Sequence, residues 1–310
     1  MDFSVVIPMM NEEKNVPRIY AALCAEFEKI GPSFELIFVD DGSTDRSALE
    51  VERLIQSDPR VRLLCFSRNF GHQAALTAGL EAASGRAVIT MDADLQHPPA
   101  IVPKLIEKWR AGYQIVIAVR ESTEGISWHK KLTSGLFYKF FSLLANVNLT
   151  ANAADFRLLD REVVKVLCGL RERVRFLRGL TGWVGFNAIE VPYVAAKREH
   201  GETKYSIRKM ISLALGGITS FSSKPLYLAA YAGMMVTFIG CFYAAYIFYV
   251  HFFTVQTVPG WTSVILLILF MGGLQLLSSG LLGIYLGKAY DEVKGRPIYI
   301  LAKKSGFEQK

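Results

Sequence analysis

The sequence predicts an α/β domain with a mainly parallel sheet, followed by two helices that cross a membrane. Three observations carry this. Between Phe3 and Arg120, short apolar runs alternate with stretches of helical length and polarity. Acidic and polar clusters fall at the ends of those runs. Finally, from Pro225 to Gly287 there is no Lys, Arg, Asp or Glu, and His251 is the only histidine.

Phe3–Met9 is a continuous apolar run through Pro8 and reads as a strand buried on both faces. Asn11-Glu12-Glu13 then reads as the cap and first turn of a helix to about Lys29, with its acids at the favourable end of the dipole. Phe34–Val39 is the second strand. The Asp40-Asp41-Gly42-Ser43-Thr44-Asp45 that follows offers a turn glycine and a cap for a helix near Thr44–Gln56. Val61–Ser67 is the third strand, succeeded by Arg68-Asn69-Phe70-Gly71-His72 and a helix through about Ala83. Ala87–Met91 is the fourth strand, Pro99–Ala111 a helix, and Gln114–Val119 a fifth strand ending at Arg120. Strands alternating with helices indicate a mainly parallel sheet, in which ligands bind beyond the carboxyl ends of the strands. No G-x-G-x-x-G follows the first strand, no Gly-Lys-Ser/Thr loop exists, and no G-x-S-x-G elbow appears. These absences count against a dinucleotide-binding domain and exclude a P-loop NTPase.

The fourth strand ends in Asp92-Ala93-Asp94-Leu95-Gln96-His97-Pro98-Pro99. Residues two apart on an extended chain point the same way, so Asp92 and Asp94 can converge on one point. Two carboxylates aimed at one spot repel unless a cation lies between them. Hard oxygens here suit Mg²⁺ or Mn²⁺ shared with substrate phosphates, and Gln96 can add a carbonyl oxygen. The plain alternative is a polar turn after a core strand. Past the fifth strand, Trp128-His129-Lys130-Lys131 opens an aromatic-rich segment, Leu132–Val147, that reads as a helix lying on a membrane surface or as a core helix. Ala154-Asp155-Phe156 places a carboxylate within an apolar run. Such a group either does chemistry or pairs with a cation, and Arg157 is the nearest one. Phe186–Ala196 reads as a late strand, leading into the basic loop Lys197–Ser206 and an amphipathic approach, Ser206–Lys224.

The uncharged block holds two apolar segments, about Leu228–Val250 and Ser263–Tyr285, each long enough to span a ~30 Å hydrocarbon core. A buried helix pair is the alternative. The connecting loop His251–Trp261 has no Lys or Arg, whereas Lys204, Arg208, Lys209 and Lys224 precede the spans and Lys288, Lys294, Arg296, Lys303 and Lys304 follow them. That asymmetry predicts a multi-pass protein of the inner (plasma) membrane, with catalytic domain and both termini cytoplasmic. No signal peptide opens the chain. The expected division is a catalytic domain 1–205, a juxtamembrane helix 206–224, two spans within 225–287 and a basic tail 288–310. Four scattered cysteines suggest neither zinc nor disulfides. A net charge of +7 suits anionic lipid headgroups better than nucleic acid, because the basic residues flank the spans. Small residues (Gly272-Gly273, Ser278-Ser279-Gly280, Gly283) permit close helix packing and predict a homo-oligomer.

Taken in order, Val6-Ile7-Pro8-Met9-Met10-Asn11-Glu12-Glu13, Val39-Asp40-Asp41-Gly42-Ser43-Thr44-Asp45, Arg68-Asn69-Phe70-Gly71, Asp92–Pro99, Ala154-Asp155-Phe156 and His200-Gly201-Glu202-Thr203-Lys204-Tyr205-Ser206 resemble the polyprenyl-phosphate glycosyltransferases. These are the dolichyl-phosphate mannose synthase-like branch of glycosyltransferase family two, here of the bacterial two-span type. The resemblance covers essentially the whole chain. It implies a GT-A fold and inverting transfer of a sugar from a nucleotide-sugar donor to a polyprenyl-phosphate acceptor such as undecaprenyl phosphate. It further implies that Pro8, Asn11, Glu12, Asp40, Asp41 and Asp92 hold the nucleotide sugar, and that Asp92, Asp94 and Gln96 hold the divalent metal. Lys130, Lys131, Ser134, Arg198 and Lys204 would bind the acceptor phosphate, and Asp94, Asp155, Arg120 and Lys204 would serve catalysis. The family's Pro-x-Tyr-Asn-Glu carries Met10 in place of Tyr, and Lys130 or Lys131 stands where an Arg is common. The resemblance favours a UDP-sugar, glucose first, over UDP-GlcNAc, GDP-mannose or a UDP-4-amino-arabinose derivative. A processive polysaccharide synthase is disfavoured because Arg178–Trp183 offers no Gln-x-x-Arg-Trp. A non-catalytic scaffold is disfavoured by the intact Asp92/Asp94/Gln96 set.

Overall fold

The computed structural model describes residues 1–120, 153–170, 172–173, 175–194, 223–253 and 260–307. They fall in two compact units, one built on a sheet and rejoined by the chain from Arg296 onward, the other holding the long apolar helices.

In the first unit the strands are β1 (Phe3–Met9), β2 (Phe34–Asp40), β3 (Val61–Phe66), β4 (Ala87–Thr90), β5 (Ile115–Arg120), β6 (Ala153–Asp160), β7 (Ala188–Tyr193) and β8 (Leu301–Ser305). They form one sheet in the order β7-β5-β6-β4-β1-β2-β3-β8. The run β4-β1-β2-β3 is parallel throughout, and all seven residues of both β1 and β2 are buried. That double burial is why these strands read as unbroken apolar runs. Helices α1 (Val16–Ile30), α2 (Ser47–Ser57), α3 (His72–Ala82), α4 (Val102–Arg110), α5 (Arg161–Gly169) and α6 (Leu177–Trp183) accompany the sheet. The main core joins Val5, Ile7 and Phe38 of the sheet to Ile19, Leu23 and Phe27 of α1 and to Leu105 and Ile106 of α4. Helix α3 lies so close to β1 that a Cβ on Gly79 would sit 2.1 Å from Val6 Cγ1. This is the mainly parallel α/β sheet expected of a GT-A domain.

β6 runs antiparallel between β4 and β5. Because it enters from the far direction, its first residues lie at the carboxyl ends of β4 and β5. Asp155 is thereby brought to the edge that carries Asp92, although the two are far apart in sequence.

Two helix starts differ from expectation. Asn11 is no cap: it sits at φ 58°, and Asn15 precedes α1 instead. Its side-chain oxygen instead accepts the Thr44 amide at 2.8 Å, tying two loops together. Thr44 is thus committed across the loop, and α2 starts at Ser47, whose amide and hydroxyl both bond Asp45. The segment read as a basic tail also differs, since Leu301–Ser305 pairs antiparallel with β3 as an edge strand.

The second unit contains α7 (Lys224–Phe253) and α8 (Trp261–Val293), both long and apolar enough to cross a membrane. At 1.5 Å per residue each is about 45–50 Å long. Leu228, Phe238, Phe252 and Leu276 turn outward, exposed. Hydroxyls of Thr237 and Ser278 bond the carbonyls of Gly233 and Leu274 on their own helices, which satisfies them without water. The segments 132–147, 197–206 and 206–222 lie outside the described residues.

Candidate active site

A cavity of about 300 Å³ opens beyond the carboxyl ends of β1, β2 and β4. It brings together Pro8, Glu12, Asp41, Asp92 and Asp94 with Asn69 and His72. Asn11, Asp40 and Gln96 are not on its wall; they shape the loops behind it. Arg120 ends β5 at the same edge, in register with Tyr193. Lys130, Lys131, Ser134, Arg198 and Lys204 lie outside the described residues.

The second-strand loop is a clamp. The Asp41 carboxylate is buried and accepts the backbone N–H of Phe70 at 2.7 Å and of Gly71 at 3.0 Å. Gly42, at φ 76°, lies against the same loop, where a Cβ would fall 2.7 Å from both the Arg68 carbonyl carbon and the Asn69 nitrogen. Asp40 accepts the Ser43 amide, and burial pushes its carboxyl above the usual range. Burial likewise raises Glu12, against a lowering bond from Asn15, with Asp94, Asp45 and Asp92 adding to the rise. Met10 is exposed, and its sulfur meets the Asn69 amide at 2.8 Å.

The Asp92–His97 loop is held by its own residues. Leu95 takes the left-handed conformation at φ 59°, a costly choice for a branched side chain that clusters at functional sites. His97 Nδ1 accepts the Asp92 amide at 3.0 Å, so the proton of the neutral ring is on Nε2. Its imidazole is buried in a stack on Phe156, and burial lowers its pKa despite the nearby carboxylates. Asp94 accepts the Gln96 amide and, at 2.6 Å, its side-chain Nε2. In this conformation Gln96 steadies Asp94 rather than offering its oxygen. Asp92 Oδ1 is buried with no hydrogen bond, and His72 Nε2 stands 3.5 Å away. A stranded carboxylate oxygen beside a second carboxylate is costly without a cation. The donor set therefore fits Mg²⁺ or Mn²⁺. Among the described residues no group of three His, Cys, Asp or Glu side chains is arranged to hold a metal ion.

Asp155 is 3% exposed. Burial works to raise its pKa, but bonds from His72 and Arg178 outweigh it, and the carboxyl is held well below its ordinary range. Arg178 supplies a two-pronged grip, Nε and Nη2 both at 2.9 Å, while Gln73 and His72 approach at 3.3 Å. Arg157, the expected partner, also favours the Asp155 anion through its charge while directing Nη1 to Thr181, and burial lowers its own pKa to about 10. Burial opposes the charge on His72, yet Asp155 and Asp92 prevail and the imidazole's pKa is raised. His72, Gln73 and Arg178 are thus site residues that sequence reasoning passed over. His72 and Gln73 directly follow the quoted Arg68–Gly71 motif. Arg178 comes from α6, at no spacing that points back to Asp155.

The profile of glycosyl transferase family 2 matches residues 4–168. An uncharacterized glycosyltransferase, YkcC, of Bacillus subtilis is 43% identical over all of this chain and 96% of its own. The bactoprenol glucosyl transferase of Shigella phage SfII is 42% identical over 98% of each chain, and a prophage bactoprenol glucosyl transferase homolog of Escherichia coli is 40% identical over 98% and 99%. Among solved structures, glucosyl-3-phosphoglycerate synthase from Mycobacterium tuberculosis, in complex with Mn²⁺, UDP and phosphoglyceric acid, superposes with a TM-score of 0.45 at 21% identity, covering 70% of this chain and 76% of that one. With the match spanning β1 through α5 and full-length relatives carrying the same activity class, the chain is a transferase and belongs to glycosyl transferase family 2.

Proposed function

We propose that this chain transfers glucose from UDP-glucose to a polyprenyl phosphate of the undecaprenyl type, with inversion at the anomeric carbon. The observation that carries this reading is the end-to-end likeness to bactoprenol glucosyl transferases. Pro8 and Glu12 line the base and ribose end of the cavity, and Asp41 acts there by fixing the Phe70–Gly71 backbone. Asp92 and Asp94 would hold a divalent cation, with Gln96 steadying Asp94. When bound, that ion supplies countercharge for the departing diphosphate.

The acceptor phosphate has a second pKa near ~6 and is largely dianionic at neutral pH, so it needs no strong base. Asp155, held as an anion by Arg178 and His72, is a poor proton acceptor. In this reading it is a positioning residue that fixes Arg178 and His72 beside the reacting groups. Arg120, at the same edge, adds positive charge, and Lys130, Lys131, Ser134, Arg198 and Lys204 form the acceptor-phosphate group. Helices α7 and α8 cross the membrane with the catalytic unit and both termini on the cytoplasmic face, where the Lys/Arg-rich flanks meet anionic lipid. The small residues of α8 support self-association there.

The experiment offers membranes containing the protein a panel of radiolabelled donors (UDP-glucose, UDP-GlcNAc, GDP-mannose and a UDP-4-amino-arabinose derivative) with undecaprenyl phosphate and Mg²⁺ or Mn²⁺. Label should pass to the lipid phase from UDP-glucose, stop on chelation and return with added cation. Lipid-phase label from another donor alone would reassign the sugar. None from any donor would sink the reading.

A further inference from the structure

We propose that the segment just beyond α8, centred on Tyr299, is a positioning element for the nucleotide wall of the active site, so that donor affinity depends on residues remote in sequence from every motif. The inference rests on reading the cavity as the nucleotide-sugar site.

The cavity wall that carries Asn69, Gly71 and His72 is the loop between β3 and α3 together with the first residue of α3. The C-terminal segment touches each side of it. β8 pairs with β3 from Leu63↔Ser305 to Phe66↔Leu301, with a register shift at Cys65/Phe66. Beyond the ladder, the Ser67 amide donates to the Ile300 carbonyl at 3.0 Å, which carries the pairing to the first residue of the loop. Tyr299 stacks on Phe66 with ring centres 5.0 Å apart, and Phe66 meets Phe70 of the loop edge-on at 5.7 Å. The Tyr299 hydroxyl donates to Glu81 on α3. One side chain therefore braces the strand entering the loop and the helix leaving it.

The other side of the loop is fixed by Asp41, through the amides of Phe70 and Gly71. Asn69 and His72, on the cavity wall with Asp92, lie between these two holds. β8 adds little apolar burial: Leu301 is 40% exposed, and its lysines face solvent. The segment's weight thus falls on the loop rather than on the core, so weakening it should alter binding before folding.

The test uses the full-length protein in detergent micelles, titrated with UDP and Mg²⁺, with kcat and KM for donor and acceptor measured alongside. Tyr299→Ala should weaken UDP binding and raise donor KM about 5- to 10-fold, the scale of one aromatic contact plus a hydrogen bond. Its kcat and acceptor KM should stay within about twofold. Tyr299→Phe and Glu81→Ala each remove the hydroxyl–carboxylate bond and should weaken UDP about threefold; they carry the test should the alanine variant of Tyr299 not fold. Lys303→Ala breaks the bridge to Glu52 on α2, which does not line the cavity, and should leave UDP affinity unchanged. Unaltered UDP affinity in the folded Tyr299 and Glu81 variants would overturn the inference alone. An equal loss in Lys303→Ala would do so too, by revealing general destabilisation. A wild-type protein that binds no nucleoside diphosphate would overturn both this inference and the reading of the cavity.

Discussion

Asp155 illustrates how a buried carboxylate becomes a fixed anion when cations are built around it. Its pKa in the folded chain lies below the ~3.9 of an unfolded one. Such a group's stabilisation is complete above the unfolded value and is lost as pH falls through the folded one. Asp155→Asn should therefore lower the unfolding free energy by about 2 kcal/mol, discounted because Arg178 is 42% exposed. That deficit, measured by denaturant titration, should be largest at about pH 5–6, shrink as pH rises through the raised pKa of His72, and shrink again under about pH 4. Asp94→Asn should leave the melting temperature nearly unchanged and reduce lipid-linked label by about 10²–10³-fold. A scaffold would tolerate that change. The acidic pair was legible because two carboxylates at a strand end form a local pattern. The hydrogen-bonded partner of Asp155 was not. Arg157 shares its face of the strand and acts on it by charge while bonding Thr181, whereas the two-pronged Arg178 arrives through tertiary packing alone.

At the scale of elements, burial on both faces made β1, β2 and β4 readable, and the helical length of the stretches between strands did the same for α1 and α3. The starts of α1 and α2 escaped because Asn11 and Thr44 bond each other across two loops, and nothing in either loop alone announces a partner. The antiparallel course of β6 was equally hidden, since an apolar run carries no direction. Gly79 offers an element-scale test. Its replacement by Ala forces α3 away from Val6 and should cost about 1–3 kcal/mol, read as a lowered melting temperature.

For the whole molecule, composition alone marked the uncharged block, and α7 and α8 occupy it. Vesicles washed at alkaline pH should keep the protein, and only detergent should release it. Loss into the wash would refute membrane-spanning helices. The C-terminal strand was missed because five residues with two lysines resemble a solvated tail, although lysines are what exposed edge strands commonly carry. Its pairing also has a consequence in time. Lys303 and its partner Glu52 are 251 residues apart, so the free edge of β3 stays uncovered until both long helices have been synthesised. A chain stalled before that point would present an open sheet edge, the feature that invites aggregation and quality control. Completion of the sheet is therefore a late event in biogenesis, and it reports that both long helices have been made.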